Sequence, residues 1–551
     1  MIITSNLNKI KPKKTAISLS LIILLGLSIR FYYVPTDLPI ASDGFFDFVY
    51  AAKTVFEGSL PVGYGTTNTG WGNFLSLFFS LSDTSDPFYL MQIQRSLSIV
   101  LSTITIIPAF FIFRKFVNIR WALFGSVLLI IEPRLLMMSL EGINYSLFIF
   151  IFVLVIALFL KKTNISLFLS FGCIACATLV RYEGLLLLIP LSIMYFVKFK
   201  DKKSMIKFLG MIFIIIIILV PISVLRIQAT ENICYESVFE VRCGDDGFTH
   251  AILAGPRLLS QILTVMPSQE TPETTTPMID ENKDKTDGYT VLSENKIITG
   301  FMALLKFIGL ALIPYFVFFV SYNIILRIKN KKLVELDWDK KMIVLTTGIM
   351  LLPALYAYMR GIEEIRYVLV AIPLICILST SWTSIISKKI SKSRSVMIIL
   401  IVLVSLISII FIEFEMNDYA MYKEAFLVSQ EIIKMTHITN TFTYSGFIKV
   451  AELFDTWPEI PNHDEVGKIK HDFIKISTNN YDNVLELIID SKKYDLKYLV
   501  VDRNNEFFDD LRVNQSDYNY LHKIDLNNFE QITNYSIYEI NFEIFLSEKN
   551  E

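Results

Sequence analysis

The sequence predicts an α-helical polytopic membrane protein with a small external α/β domain at its C-terminal end. Three observations predict it. Of the 551 residues, 53% are hydrophobic, and the mean hydropathy of +0.50 is higher than a soluble fold of this length carries. The apolar residues gather in runs long enough to cross a bilayer. The loops between the runs alternate, one set basic and the other poor in Lys and Arg.

In chain order the runs have cores at 15–34, 96–113, 121–139, 143–160, 165–180, 184–198, 207–226, 298–326, 342–359, 367–386 and 395–413. They read as about eleven membrane helices, most of them near the ~20 residues a bilayer core requires. The first run follows Lys9, Lys11, Lys13 and Lys14 and shows no small-residue cleavage site. It therefore reads as a retained anchor, not a removed signal. The basic loops hold Arg114, Lys115 and Arg120, then Lys161 and Lys162, then Lys198 to Lys207, Arg327 to Lys341, and Lys388 to Arg394. Short basic loops stay in the cytoplasm, so residues 1–14 lie inside and the first loop, 35–95, lies outside. An odd number of spans puts the C-terminus outside as well. The expectation is a multi-pass protein of the plasma membrane, with a transmembrane domain over 15–414.

Three external pieces follow from that topology. Residues 35–95 form the first loop. Residues 228–296 form the second, which contains the tract "MPSQETPETTTPMIDENKDKTDG". That composition cannot bury a core, and the tract is expected to be mobile. Residues 415–551 form the C-terminal domain, acid-rich as suits a soluble outer face. Within it "EAFLVSQEIIKM" is amphipathic and "LKYLVVD" reads as a buried strand. The sequons Asn514-Gln515-Ser516 and Asn534-Tyr535-Ser536 lie on the side where glycans can be attached.

A net charge of -2 gives no basic surface for nucleic acid. Five Cys do not make a disulfide scaffold. Cys173 and Cys176 lie three apart inside an apolar run and read as small buried residues on one helix face. Cys234 and Cys243 lie in a polar loop and can pair if that loop faces an oxidising compartment, which leaves their state open.

The soluble segments contain no phosphate-binding glycine loop, no His cluster with metal spacing and no nucleophile elbow. Charge instead gathers at the external helix ends, in four groups. In "ASDGFFDFVYAAKTVFEG" the apolar positions 45, 46, 48, 49, 52, 55 and 56 predict a helix on the membrane surface, stopped by Gly58. Asp43 stands at its capping position and Asp47 one turn later. "EPRLLMMSLEGINY" holds Glu132, Arg134 and Glu141 where one helix leaves the membrane and the next returns. "VRYEG" holds Arg181 and Glu183, and "MRGIEEIRYVLVAIP" holds Arg360, Glu363, Glu364, Arg366 and Tyr367. Each group alone is compatible with helix capping or with Arg reaching a lipid phosphate. Four groups on one face point to a polar cavity at the outer boundary of the membrane. A carboxylate there can act as a general base and Arg can hold a phosphate. A phosphate presented from lipid on that face is what a polyprenyl-phosphate sugar donor offers. Such a donor also accounts for the lack of nucleotide-binding motifs.

With those motifs the layout resembles the GT-C fold membrane glycosyltransferases, which include the dolichyl-phosphate-mannose protein mannosyltransferases and their prokaryotic relatives. The resemblance rests on "ASDGFFDF", the surface helix after it, "EPRLLMMSLEG", "RYEG" and "EEIRYVLVAIP", and covers residues 15–415. It implies an inverting sugar transfer from a polyprenyl (dolichyl)-phosphate donor to a protein, or to an envelope lipid or glycan. It implies a first-loop acid as catalytic base, a role that carries over to Asp43 first and Asp47 second. It implies lipid-phosphate binding by Arg366 and Tyr367, with Arg181 and Arg134 on the same face and Glu132, Glu141 and Glu183 as supporting acids. Many members carry adjacent acids in the first loop, whereas here they are four apart. The W-W-D-x-G motif of the oligosaccharyltransferase catalytic subunit is absent from the C-terminal domain, which argues against en bloc transfer of an oligosaccharide to Asn. Second-loop acids of some relatives bind a divalent metal; here neither His nor a tight acid cluster supports one, and metal dependence stays open. A transporter or flippase would place its charges near the midplane and show matching halves, which this chain does not.

Overall fold

The computed structural model describes residues 12–40, 43–58, 69–82, 84–200, 202–230, 234–237, 240–243, 294–311, 337–362, 364–387, 393–436, 481–492, 498–502, 506–524 and 535–550. The tract from Met266, Glu363, residues 327–336 of the basic segment that starts at Arg327, and the Asn534 sequon residue lie outside them. Two compact units divide the chain. The first comprises 1–33, 60–75 and 95–409, and the second 34–59, 76–94 and 410–551.

The helices run in order α1 Pro12–Tyr33, α2 Asp43–Glu57, α3 Gly70–Phe79, α4 Pro87–Ile104, α5 Ile106–Phe116, α6 Ile119–Ile130 and α7 Pro133–Leu140. There follow α8 Tyr145–Lys161, α9 Asn164–Val180, α10 Leu188–Lys198, α11 Lys202–Thr230, α12 Glu294–Ala311, α13 Trp338–Met350, α14 Leu352–Met359, α15 Ile372–Ser387 and α16 Ser393–Thr436. Two 3-10 segments, Tyr182–Leu187 and Ile365–Ala371, lead into α10 and α15. Every apolar run of the sequence carries helix in its described part. Among the described residues, six stretches are long and apolar enough to cross a membrane: Lys13–Tyr33, Pro87–Phe116, Lys203–Ile222, Trp338–Met359, Ile365–Ser384 and Met397–Glu431. The pair α6 and α7 makes a seventh if it counts as one span. Tyr145–Lys161, Asn164–Val180 and Ile298–Ala311 are apolar but shorter.

In the first unit α8 packs on α5 and α9, α9 on α11, α6 on α5 and α15, and α1 on α6 and α7. Gly26 permits the α1–α6 approach, since a Cβ there would stand 2.2 Å from Ile130 Cδ1. α13 packs against both 3-10 segments, which draws the ends of two distant runs together. At the basic ends, Lys162 Nζ lies 2.6 Å from Asp339 Oδ1 and Lys115 Nζ 3.9 Å from its Oδ2. Lys162 also sits 4.3 Å over the Trp338 ring. Three of the basic loops thus meet on one carboxylate.

In the second unit Ile40 N–H donates to Met91 Sδ (3.3 Å), Gln94 Nε2 to Gly44 O (2.9 Å), and Lys423 Nζ to Asp37 Oδ2 (2.5 Å). Its C-terminal part holds α17 Val484–Ser491, β3 Tyr498–Asp502, α18 Asp509–Val513, β4 Leu521–Ile524, β5 Tyr535–Ile540 and α19 Phe542–Asn550. β5 lies between β3 and β4 and pairs antiparallel with both, Val500 opposite Ile537 and Lys523 opposite Tyr538. The core joins Leu487 and Ile488 of α17 to Leu499, Val501, Phe508, Tyr520 and Phe545. The described part of "LKYLVVD", Tyr498–Asp502, is a strand as its apolar run predicts, in an antiparallel sheet.

Several details depart from the pattern read in the sequence. Residues 121–139 are not one helix, because Pro133 offers no amide and disfavours helix at Glu132, so the chain breaks there and α7 leaves at 49°. The turn expected over 132–145 consequently contains α7. "EAFLVSQEIIKM" is no separate helix but the continuation of α16, whose 44 residues run past 415. Cys176 is exposed and Cys173 half-buried: small apolar side chains on a membrane helix need no protein neighbour.

Candidate active site

The break between α6 and α7 places two buried charges together. Glu132, fully buried, caps α7: its Oε2 accepts the Leu135 amide at 2.8 Å, while Oε1 has no hydrogen-bond partner among the described residues. Arg30, on α1, is 1% exposed. It donates from Nε to Ser139 Oγ (3.1 Å), from one terminal nitrogen to Gly26 O (3.3 Å) and Ile130 O (3.1 Å), and from the other to Ser102 Oγ (3.2 Å). Ile130 O ends α6, where the break leaves carbonyls without helical donors. Buried Arg95 closes the far end of α7, its Nε donating to Leu140 O at 2.7 Å. Past α7, Gly142 O accepts from the buried Trp71 Nε1 at 2.9 Å. α7 is thus capped at its start by a buried acceptor, Glu132, and held at its end by buried donors.

Next to it, Arg30, Ser102, Leu135, Met138, Tyr145 and Ser146 line a cavity of about 20 Å³, room for about one water. The Tyr145 ring carries Arg181 on its face, the guanidinium carbon 4.2 Å from the ring centre. That guanidinium donates to Glu183 Oε1 at 2.7 Å and to Asn144 Oδ1 at 3.3 Å. Its Nε is buried with no hydrogen-bond partner among the described residues. Gly184 lets the 3-10 turn sit on α9, since a Cβ there would stand 2.6 Å from the Ala177 carbonyl carbon. Burial alone disfavours a charged Glu183, but the Arg181 charge and hydrogen bond outweigh it and hold the carboxyl below its ordinary range.

Arg366 pairs with Glu364, and its guanidinium lies 5.8 Å from the Tyr367 ring centre. Tyr358 Oη donates to Glu364 O at 2.9 Å. Arg366 and Tyr367 are within electrostatic reach of Tyr145, and Tyr367 within reach of Arg181. The "VRYEG" and "EEIRY" groups therefore meet, by way of the α13 packing. The second group adjoins them through Tyr145, which shares its cavity with Arg30 and α7. Arg134 is half-buried on α7, and Glu141, just beyond α7, is exposed.

The first-loop acids belong to the second unit. The helix runs from Asp43 to Glu57, and Gly58 ends it at φ +66°, as the sequence predicts. The Asp43 side chain lies outside the described residues. Asp47 is 5% exposed and Lys53, on the same helix, is equally buried. Asp47 is therefore not the water-facing acid that the local pattern allows.

Sequence reasoning missed Arg30, Arg95, Asn144, Tyr145 and Lys53. For Arg30 a signal existed: a charge inside an apolar run demands a partner. For Tyr145 there was none, since its role depends on a residue 36 positions away. Among the described residues no group of three or more His, Cys, Asp or Glu is placed to hold a metal ion.

No family model matches the chain, and no curated protein is similar to it. Solved structures do match. The oligosaccharyltransferase of Archaeoglobus fulgidus in its apo form aligns at 13% identity and TM-score 0.48, covering 90% of this chain and 70% of that one. The archaeal oligosaccharyltransferase AglB from the same organism, in complex with an inhibitory peptide and a dolichol-phosphate, aligns at 12% identity and TM-score 0.43 with the same coverage. ArnT from Cupriavidus metallidurans, in the apo state, aligns at 10% identity and TM-score 0.38, covering 94% of this chain and 97% of that one. These structural neighbours are GT-C fold membrane glycosyltransferases. Likenesses this distant assign neither donor, acceptor nor catalytic residue to this chain.

Proposed function

We propose that the chain is a membrane glycosyltransferase that moves a sugar from a polyprenyl-phosphate donor to a protein, lipid or glycan acceptor on the external face. The observation that carries this reading is the Arg181 guanidinium, stacked on Tyr145, anchored by Glu183 and Asn144, left with an Nε unpartnered among the described residues, and within reach of Tyr367, while Arg366 is within reach of the same Tyr145. Two guanidiniums so placed can grip the phosphate that links sugar to lipid. Arg134 on α7 is assigned to the same phosphate. Glu132, Glu141 and Glu183 orient the helix ends and the guanidiniums.

In the reaction, a carboxylate of the first loop takes the proton of the acceptor hydroxyl. Asp43 is assigned that part and Asp47 is its alternative. The acceptor oxygen attacks the anomeric carbon from the face opposite the phosphate, the carbon–oxygen bond to phosphate breaks, and the configuration inverts. The polyprenyl phosphate leaves with its charge held by Arg181 and Arg366, so no acid is needed to protonate it. The topology that goes with this is eleven spans, N-terminus inside and C-terminus outside. The meeting of Lys115, Lys162 and Asp339 supports it, because loops assigned to one side come together.

The test is direct. Purified protein, a polyprenyl-phosphate sugar and a cell-envelope fraction as acceptor should yield free polyprenyl phosphate; no release with any such donor overturns the reading. Loss of the base should cut turnover by about 10²–10⁴. Undiminished turnover in both Asp43→Asn and Asp47→Asn would remove the first loop from the chemistry.

A further inference from the structure

Two strands lie in the second external loop, β1 Cys234–Ser237 and β2 Glu240–Cys243. They pair antiparallel, with Tyr235 opposite Arg242, Glu236 opposite Val241 and Ser237 opposite Glu240. The remaining pair of the ladder is Cys234 opposite Cys243, at the end farthest in sequence from residues 238–239. Directly opposed residues of an antiparallel pair have Cα atoms about 4.5–5.5 Å apart, inside the range a disulfide spans.

The rest of the hairpin explains why a cross-link belongs there. An isolated two-stranded hairpin is marginal in water unless something else holds it. Alternation puts 235, 237, 240 and 242 on one face and 234, 236, 241 and 243 on the other. Apart from the cysteines, Tyr235 is the apolar residue of the first face and Val241 of the second. No apolar residue therefore faces another across the strands. The sequence also offers no rival: of its five Cys, the other three, Cys173, Cys176 and Cys376, lie in α9 and α15 and are free thiols.

We propose that Cys234 and Cys243 form a disulfide that closes this hairpin, and hence that residues 234–243 face an oxidising compartment. The bond forms by exchange with an oxidised disulfide carrier of that compartment. One cysteine thiolate attacks the carrier, the second displaces it, and the hairpin gains one S–S bond while the carrier leaves as two thiols with both protons. The proposal rests on the register and not on the assigned activity. It has a bearing on the topology, because an oxidised pair puts this loop on the side away from the reducing cytoplasm.

The full-length protein is purified with thiols blocked at lysis and digested with trypsin without reductant. Cleavage after Arg226, Arg242 and Arg257 gives peptides 227–242 and 243–257, each with one of the two cysteines. They should appear as one linked species that separates on reduction. In parallel, unfolded unreduced protein should take up a maleimide tag at three sites and reduced protein at five, matching the three helical thiols and the full cysteine count. Cys234→Ser should raise the unreduced count by one, since Cys243 is then freed. Five tags without reductant, or linkage of either peptide to a second copy of the chain, would overturn the proposal.

Discussion

Arg30, fully buried, and Arg181, half-buried, are both arginines of the first unit, and they are spent differently. Arg30 gives hydrogen bonds to two backbone carbonyls and two serine hydroxyls. Arg181 gives one to Glu183 and one to Asn144, lies on Tyr145, and keeps its Nε without a partner among the described residues. A guanidinium committed to carbonyls of a broken helix fixes backbone. One fixed by a ring and a carboxylate, with a donor in reserve, is equipped to meet an anion. Burial of charge therefore does not by itself mark a binding residue; the unspent donor does.

The comparison can be broken by substitution. The largest effect is expected at Arg30. Arg30→Met should cost about 3–5 kcal/mol of stability, because it strands Ile130 O and removes one of the two arginine charges, with Arg134, that act on buried Glu132. Thermal unfolding in detergent measures this; a melting temperature equal to that of the parent protein would show that the break holds without the arginine. Arg181→Gln should act on the reaction more than on the fold. It should lower kcat/KM for the lipid-phosphate donor about 100-fold, near 2.7 kcal/mol, with a smaller change in melting. Equal losses of activity and stability would place Arg181 with Arg30.

The smallest effect concerns acid. Glu183 titrates below its unfolded value of about 4.3, so its pairing adds stability above that pH and loses it as pH falls through the depressed folded value. The melting temperature of the parent protein should accordingly drop on acidification below about pH 4.3 more steeply than that of Glu183→Gln. Parallel curves would mean that the Arg181–Glu183 bridge contributes nothing to the fold.

Much of this was legible in the sequence and some was not, for physical reasons. Lipid demands apolar surface and paired backbone, so the runs at 143–160 and 165–180 announce α8 and α9 almost to their ends. Pro133 also announces the break, once the preference of a pre-proline residue is allowed to outweigh the apolar run around it. The charged turns were legible as a set, and Arg181, Glu183, Arg366 and Tyr367 do come together. Their junction was not, because Tyr145 reads as the first residue of an apolar helix and α13 lies about 200 residues beyond α8 in the chain. The burial of Asp47 was illegible for the same reason: the helix pattern shows which face is apolar but not which surfaces cover the other.

Arg30 also constrains the order in which the protein can be built. It is synthesised before its acceptors Ser102, Ile130 and Ser139, which follow 72, 100 and 109 residues later. An arginine inside a membrane helix without partners costs on the order of 2.5–3.5 kcal/mol by insertion scales. Until α6 and α7 have been synthesised, α1 is therefore best accommodated with Arg30 drawn toward the headgroups. It reaches its final depth only when the broken helix arrives to receive it. The nascent chain must keep that span unsettled for more than a hundred residues of synthesis.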